Sequence, residues 1–581
     1  MKRILNLYRK LVVAVAVMCG TLMSSCTDYL TIIPPGVNTE ENFWQTEDDV
    51  RGILATAYLR LMGSDAISKA IVWGELRADN LTFPAGSGRD IKYIVEANIL
   101  DENPYCNWSI YYEAIQTANL LIERAPLVTE RDPDFTEGDL QVVTGEMYAL
   151  RALAHFYLVR TFRDIPMARV AVTGDNDMPE YPQVHPLQAL DEIMDDLEKA
   201  EKLVMKSGNF STPAENYGRI TENAVLAIKA DVNLWRAAFT TYYEGVSELA
   251  VADNIQKYYD DCVSDCQRIL DNKARELEKE GDKKGDKTKY PYNLLQNEGE
   301  VEQITSTKNS TVYDQIFGSK NSRESIFEFQ VQGDNATNGS FNGIRNMYGA
   351  EGKPGALIVP SSFAAKNYEN DDLRVYAYTN VRNLTTGSGT SSGSNEKQDV
   401  LVSKYTTKGS PGHAADYREA GEFDANWIVY RQTDVMLMMA EAMALRPSAS
   451  TEDFAKAFDI VKAINTRSRM DTTTIKKPLM ADNYQTREAV VELVLKERLL
   501  ELSFEGKRWY DLVRKALREK STNNIKFVAD KLDSQSSVVK SKMSTIDALF
   551  FPIHEDELRF NDKLVQNPAY EHEDDSSIEL N

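Results

Sequence analysis

Apolar residues recur at helical spacing along most of this chain. The clearest run is Met147–Phe162, where Leu150, Leu153, Ala154, Tyr157 and Leu158 fall at i, i+3, i+4, i+7 and i+8. Its other side, Ala149, Ala152, Phe156 and Val159, is also small or apolar. That pattern predicts a helix covered on two sides, as in stacked helical hairpins. Trp108–Arg124, Leu187–Val204, Thr221–Phe239, Gln432–Leu445, Thr451–Ser468 and Arg487–Ser503 are comparable, several of them paired across short connections. No strict repeat with a period of about 34 residues is present, so any helical-repeat architecture is degenerate.

The pattern changes between these helices. Ser325–Gln332 and Arg374–Val381 alternate over short runs and are expected to form small strands. Asn272–Lys289 is a mixed-charge run, expected as a solvated excursion at a helix end. Gly333–Gly355 is rich in Asn and Gly, and Leu384–Asn395 in Ser, Thr and Gly, so both read as loops. Long loops on a helical scaffold are uncommon unless they carry function. The expected class is mostly α, with a loop-rich face and a few short strands.

Composition narrows the function. The chain has 581 residues, 42% of them hydrophobic, and a net charge of −23. A core of substantial size is possible and wholesale disorder is excluded. Such an acidic surface repels phosphate backbones, so nucleic acid is not an expected partner. The charge is uneven, however. Residues 1–25 hold Lys2, Arg3, Arg9 and Lys10 and no acid; removing them leaves 62 basic against 89 acidic residues, a balance of −27.

That basic head is followed by the apolar run Leu11–Met23, the layout of a secretory signal and short of the about 20 residues a spanning helix needs. The run ends in Leu22-Met23-Ser24-Ser25-Cys26, which resembles a bacterial lipobox, with Met23 where Leu is usual. The expectation is cleavage after residue 25, lipidation of Cys26 and a membrane tether, each buried CH₂ adding about 0.8 kcal/mol. Cys106, Cys262 and Cys266 would remain in the mature chain. The last two are four apart in a helical stretch with no His nearby, and read as buried structural thiols.

Catalytic motifs receive little support. Gly389-Thr390-Ser391-Ser392-Gly393 matches G-x-S-x-G but lies in a Ser/Gly-rich run with no helix following, as a nucleophile elbow requires. Walker loops, G-x-G-x-x-G and H-E-x-x-H are absent. Adjacent acids such as Asp195-Asp196 fit solvated helix faces, and Asn370-Asp371-Asp372 alone does not define a calcium site.

Several segments, in order from Cys26 to Tyr570, resemble the RagB/SusD family of Bacteroidetes surface lipoproteins. Cys26-Thr27-Asp28-Tyr29-Leu30 with Pro34-Pro35 is similar to its mature N-terminus, and Trp73-Gly74-Glu75-Leu76-Arg77-Ala78-Asp79-Asn80 to an early family segment. Trp108 to Asn119 and Gly145 to Pro166 resemble two of its helices, with Arg163 in place of the usual Gly. Arg431 to Ala442, Asn465 to Arg469 and Glu497 to Arg514 resemble its C-terminal motifs. Phe551-Pro552-Ile553 and Gln566 to Tyr570 resemble its ending, with His554 and Ala569 as departures.

The resemblance implies a signal peptide at 1–25 and one domain at 26–581 built of degenerate tetratricopeptide-like hairpins. Its parts would be a helical region at about 26–310, a loop-rich insert at about 311–425 and a helical region at about 426–581. It implies a non-enzymatic protein without cofactor or metal, held by lipid in the outer membrane at the cell surface. There it would bind oligosaccharides and deliver them to a SusC-like TonB-dependent transporter. Peptide capture, known in the same family, is the alternative, and a surface glycoside hydrolase a more distant one. Glu497, Arg498, Glu501, Glu505, Arg508 and Asp511 alternate in sign and are expected to form internal salt bridges. Asp79-Asn80 could cap the preceding helix or reach ligand, and the cap is the expectation.

Sugar binding needs aromatic faces for pyranose rings and Asn, Asp, Arg or Gln for hydroxyls. Phe341, Asn342, Arg345, Asn346 and Tyr348 supply both types in one loop. Phe83 and Arg89 flank Gly86-Ser87-Gly88 as a second cluster, and Tyr105 and Asn107 beside Asn103-Pro104 are a third. These aromatics could equally anchor their loops to the helices. Tyr348 and Asn346 are the leading candidates, with the expectation that Tyr348→Ala weakens glycan binding without lowering the melting temperature.

Overall fold

The computed structural model describes residues 43–84, 86–173, 180–279, 291–296, 311–331, 342–349, 356–361, 364, 367–369, 371–379, 401–408, 416–418, 423–469, 478–523 and 537–570. Cys26, Phe341, the G-x-S-x-G match and Leu384–Asn395 lie outside these residues.

Helix starts follow the capping chemistry of the sequence. Thr46 and Asp49 form a capping box for α1 (Glu47–Met62), as do Thr136 and Asp139 for the helix at Glu137–Phe162 and Ser450 and Asp453 for the helix at Thr451–Arg467. After α1 come α2 (Ser64–Ile71), continued by a π-helical turn at Val72–Leu76, then α3 (Arg89–Val95), α4 (Ser109–Arg124) and α5 (Glu137–Phe162). Then follow α6 (Pro186–Leu203), α7 (Pro213–Gly218), α8 (Glu222–Tyr243) and α9 (Asn254–Lys279). Next are α10 (Gly343–Tyr348), α11 (Leu373–Tyr378), α12 (Gln432–Leu445), α13 (Thr451–Arg467), α14 (Arg487–Leu502) and α15 (Arg508–Glu519).

The long helices pack side by side: α5 between α4 and α6, α8 against α9, α12 against α13 and α14. Burial all around α5 from Gly145 to Phe162, Tyr148 excepted, bears out the two-sided pattern. The two helical regions join where α9 packs on α12 and α8 on α15. Strands are few and short. β1 (Leu81–Thr82) pairs with β5 (Val359–Pro360), β2 (Ile165–Pro166) with β3 (Gln183–Val184), and β4 (Ser325–Phe329) with β6 (Trp427–Arg431), all antiparallel.

Four local expectations need correction. Within Gly333–Gly355, read as loop, Gly343–Tyr348 is helix α10. Arg374–Val381 is no strand: Leu373–Tyr378 is helix α11. The alternation misled because Arg374, a charged position in it, is fully buried among Asp372, Glu497 and Glu501. Asp79 and Asn80 do not cap the helix before them. Asp79 takes a forked pair of bonds from Arg508 at 3.0 Å, 429 residues away, and Asn80 donates to Glu75. The mixed-charge run begins inside α9, which continues to Lys279.

The expected salt bridges are present and buried. Glu501 accepts from Arg431 at 2.8 Å, Arg467 at 2.7 Å and Arg374 at 3.1 Å. Arg498 bridges Asp434 at 2.9 Å and Asp511 at 2.8 Å, and Glu505 receives Arg431 and Lys404. Cys262 and Cys266 are buried free thiols, as expected, and Cys106 is a third. Among the described residues no helix is long and apolar enough to cross a membrane, and no His, Cys, Asp and Glu group is placed to hold a metal.

Candidate ligand-binding face

The face is built on a joint between the first and last parts of the chain. Glu75, in the π-helical turn, is fully buried. Its carboxylate accepts the backbone N–H groups of Phe504 (2.6 Å), Lys507 (2.9 Å) and Arg508 (3.2 Å), and the Asn80 amide. Phe504 and Gly506 both adopt φ +69° to turn those N–H groups inward. Gly74 and Gly506 meet backbone to backbone: a Cβ on Gly74 would lie 2.0 Å from the Gly506 carbonyl oxygen. Burial pushes the Glu75 carboxyl up to about 7 against the pull of those donors.

From this joint the chain runs into the predicted clusters, and the three come together. Asn103 accepts from Tyr105 N–H at 3.0 Å and donates to Asp90 O at 3.1 Å, and Arg89 pairs with Glu102 at 2.8 Å. These bonds tie the second cluster to the third. Ser87 donates to Leu357 O at 2.9 Å, beside the β1–β5 ladder. Tyr105 donates to Met347 Sδ at 3.8 Å, which brings in α10. Asn342 caps α10 by accepting from Ile344 N–H at 2.8 Å and reaches Ala425 O at 3.0 Å. Asn346 donates to Ser64 Oγ at 3.0 Å. Beneath them Trp73 donates its indole N–H to Tyr105 O at 2.7 Å and packs against Tyr111 and Phe162.

The individual residues take different places. Arg89 is the most accessible, its side chain 59% exposed and 5.9 Å from the centre of the Tyr93 ring. Arg345, Asn342, Asn346 and Tyr105 are half-buried, and Phe83 rests partly buried on the core. Burial, then Asp65 and Asp90, push the Tyr105 hydroxyl up to about 12, so it acts as a neutral donor or acceptor. Tyr348 is different. It is 1% exposed, donates to Phe504 O at 3.1 Å and stacks parallel to Tyr405 with centroids 6.0 Å apart. Its ring offers no open face to a sugar, so the expectation that Tyr348→Ala spares stability is reversed. The residue missed from sequence is Tyr93. It lies one helical turn after Arg89 in α3, a spacing that could have revealed it.

The groups this face presents are those of a recognition surface. It offers guanidinium and amide donors, a phenol, and the half-buried ring of Tyr93, held by bonds between loops distant in sequence. The acids and guanidiniums of the C-terminal motifs are consumed by each other below it.

A sequence model of the SusD family matches residues 274–570, and one described as starch-binding associating with outer membrane matches residues 47–234. The SusD-like protein P38 of Formosa agariphila is 25% identical over 572 residues, covering 94% of this chain and 96% of that protein. A SusD superfamily protein from Bacteroides thetaiotaomicron superposes with a TM-score of 0.63 at 17% identity, over 90% of this chain and 100% of that one. A laminarin-binding SusD-like protein superposes with a TM-score of 0.62 at 18% identity, over 91% and 100%. The fold of tetratricopeptide-like hairpins is shared with these structures.

Proposed function

The chain belongs to the SusD family of carbohydrate-binding proteins, and from that premise we propose that it captures oligosaccharides and hands them to a SusC-like TonB-dependent transporter. It does so from the outer membrane, held by lipid on Cys26 and exposed at the cell surface, as one domain spanning residues 26–581. The observation that carries this reading is the convergence of Arg89, Tyr105 and Asn346, from three separated segments, onto one face. Binding there breaks no bond in the ligand.

Titration calorimetry of the mature lipoprotein with oligosaccharide and peptide pools tests it. A glycan is expected to bind, and Arg89→Ala with Asn346→Ala to weaken it about tenfold for each hydrogen bond lost. Binding of peptides alone would move the reading to peptide capture, which the Arg89–Glu102 pair at the rim would also serve. New reducing ends in the glycan would overturn the non-enzymatic reading. Cys26→Ala is expected to release the chain from the membrane fraction, and failure to co-purify with a TonB-dependent transporter would remove the delivery step.

A further inference from the structure

The first turn of α2 brings to the face a charge that the three clusters do not contain. Asp65 follows Ser64, whose hydroxyl receives Asn346 at 3.0 Å. α10 lies tightly on this turn: a Cβ on Gly343 would sit 2.6 Å from the Ser64 carbonyl oxygen. The Asp65 side chain is 59% exposed and takes Lys69 Nζ on Oδ2 at 2.5 Å. Its Oδ1 has no partner among the described residues. The charge of Asp65 also reaches the Tyr105 hydroxyl and helps to keep that group protonated. A carboxylate, a phenol and the Asn346 amide thus stand together, carried by three separated segments.

The cations of the face are already matched. Arg89 lies between Glu102 at 2.8 Å and Asp90 at 3.6 Å. It keeps N–H groups for a ligand oxygen, but its positive charge is offset twice. Lys92 is paired with Glu96 at 3.9 Å, and Arg345 is half-buried and not free. Lys69 is buried and engaged by Asp65. What the face has to spare is acceptor oxygen and negative charge, concentrated at Asp65. A carboxylate only accepts, and neighbouring hydroxyls on a sugar ring are donors that suit it. A uronate or sulfate group placed there has no hydrogen to donate and meets a like charge.

On the premise that this face captures glycans, as proposed above, we propose that Asp65 selects the class of glycan. Neutral oligosaccharides, donating paired hydroxyls to its carboxylate beside Tyr105 and Asn346, are taken. Uronate-containing and sulfated ones are rejected.

An array of neutral, uronate-containing and sulfated oligosaccharides, probed with the labelled mature lipoprotein, tests this. Wild type should bind within the neutral set alone. Asp65→Asn should weaken the neutral glycan about tenfold and narrow its margin over the uronates. Asparagine can still accept from Lys69, so the fold should be kept, as a melting curve would show. A uronate or sulfated glycan bound by wild type as tightly as a neutral one overturns the proposal. So does an Asp65→Asn variant that keeps both affinity and selectivity. The wild-type ranking decides the matter even if that variant does not fold. Absence of binding to every set is a different failure: it removes glycan capture itself, and the role of Asp65 with it.

Discussion

Glu501 and Glu75 are both fully buried carboxylates, one in the seam between the C-terminal helices, the other beneath the candidate face. Their surroundings set them apart. Burial raises both, but at Glu501 the guanidiniums of Arg431, Arg467 and Arg374 outweigh it and hold the acid far below the ordinary range. Glu75 has only backbone and amide donors for direct partners, and burial wins, leaving it at about 7. Full charges stabilise a buried charge more than dipoles do. The seam is therefore a locked ionic structure, while the joint under the face holds a carboxylate close to its titration point.

The largest expected effect breaks the seam. Glu501→Gln leaves three buried guanidiniums short of their shared counter-charge, and should cost about 3–5 kcal/mol. Arg89→Ala on the face should change stability by less than about 0.5 kcal/mol. Urea unfolding of both variants tests the contrast, and equal losses would dissolve it.

Next in size is Tyr348→Ala. Removing a buried aromatic ring leaves a cavity against Tyr405 and Phe504 and should cost about 3 kcal/mol. Tyr348→Phe, which drops only the bond to Phe504 O, should cost about 1 kcal/mol. If Tyr348→Ala melts like wild type yet binds glycan poorly, the ring belongs to the ligand and the placement above is wrong.

The two regions should also differ in the sign of their pH dependence, by about 2–3 kcal/mol each. Burial raises Asp434 in the seam, but Lys507 and Arg498 outweigh it and hold the acid at about 2, against 3.8 ordinarily. Its folded form binds its proton less readily than the unfolded chain does. The stability it adds is complete above 3.8 and disappears as pH falls through 2. Glu75 is shifted the other way, from 4.5 to about 7. Its contribution is complete below 4.5 and is lost as pH rises through 7. Melting curves against pH should flatten on the acid side in Asp434→Asn and near neutrality in Glu75→Gln. Flattening in the same range for both would refute the distinction.

Much of the scaffold was legible because helix periodicity and capping are local signals. Gln432–Leu445 has the expected bounds, and Thr451–Ser468 differs by one residue. The sign alternation from Glu497 to Asp511 also pointed correctly to internal pairing, since so many charges on apolar helices need partners. The site was harder to read. Loop composition marked the three clusters, but whether a loop aromatic faces ligand or core depends on residues far along the chain. Tyr348 is covered by Tyr405 and Phe504, and Asp79 is claimed by Arg508; no spacing within either segment encodes those partners.

The smallest expected effect concerns Arg163, which stands at the end of α5. Its backbone takes φ +70° and ψ −74°, and Asp164 N–H bonds to Phe162 O at 3.0 Å, closing a strained γ-turn. A glycine would adopt this turn freely; a residue with a Cβ carries about 1–2 kcal/mol of strain. What offsets it is the guanidinium, which pairs with Asp164 and Asp547 and lies 5.8 Å from the centre of the Phe550 ring, fastening the C-terminal segment. Arg163→Gly loses those contacts but relieves the strain, for a net loss of about 1 kcal/mol. Arg163→Ala loses the same contacts and keeps the strain, so it should be less stable than the glycine variant by about 1 kcal/mol. Chemical denaturation of the pair isolates the backbone contribution, and equal stability would show that the turn is relaxed.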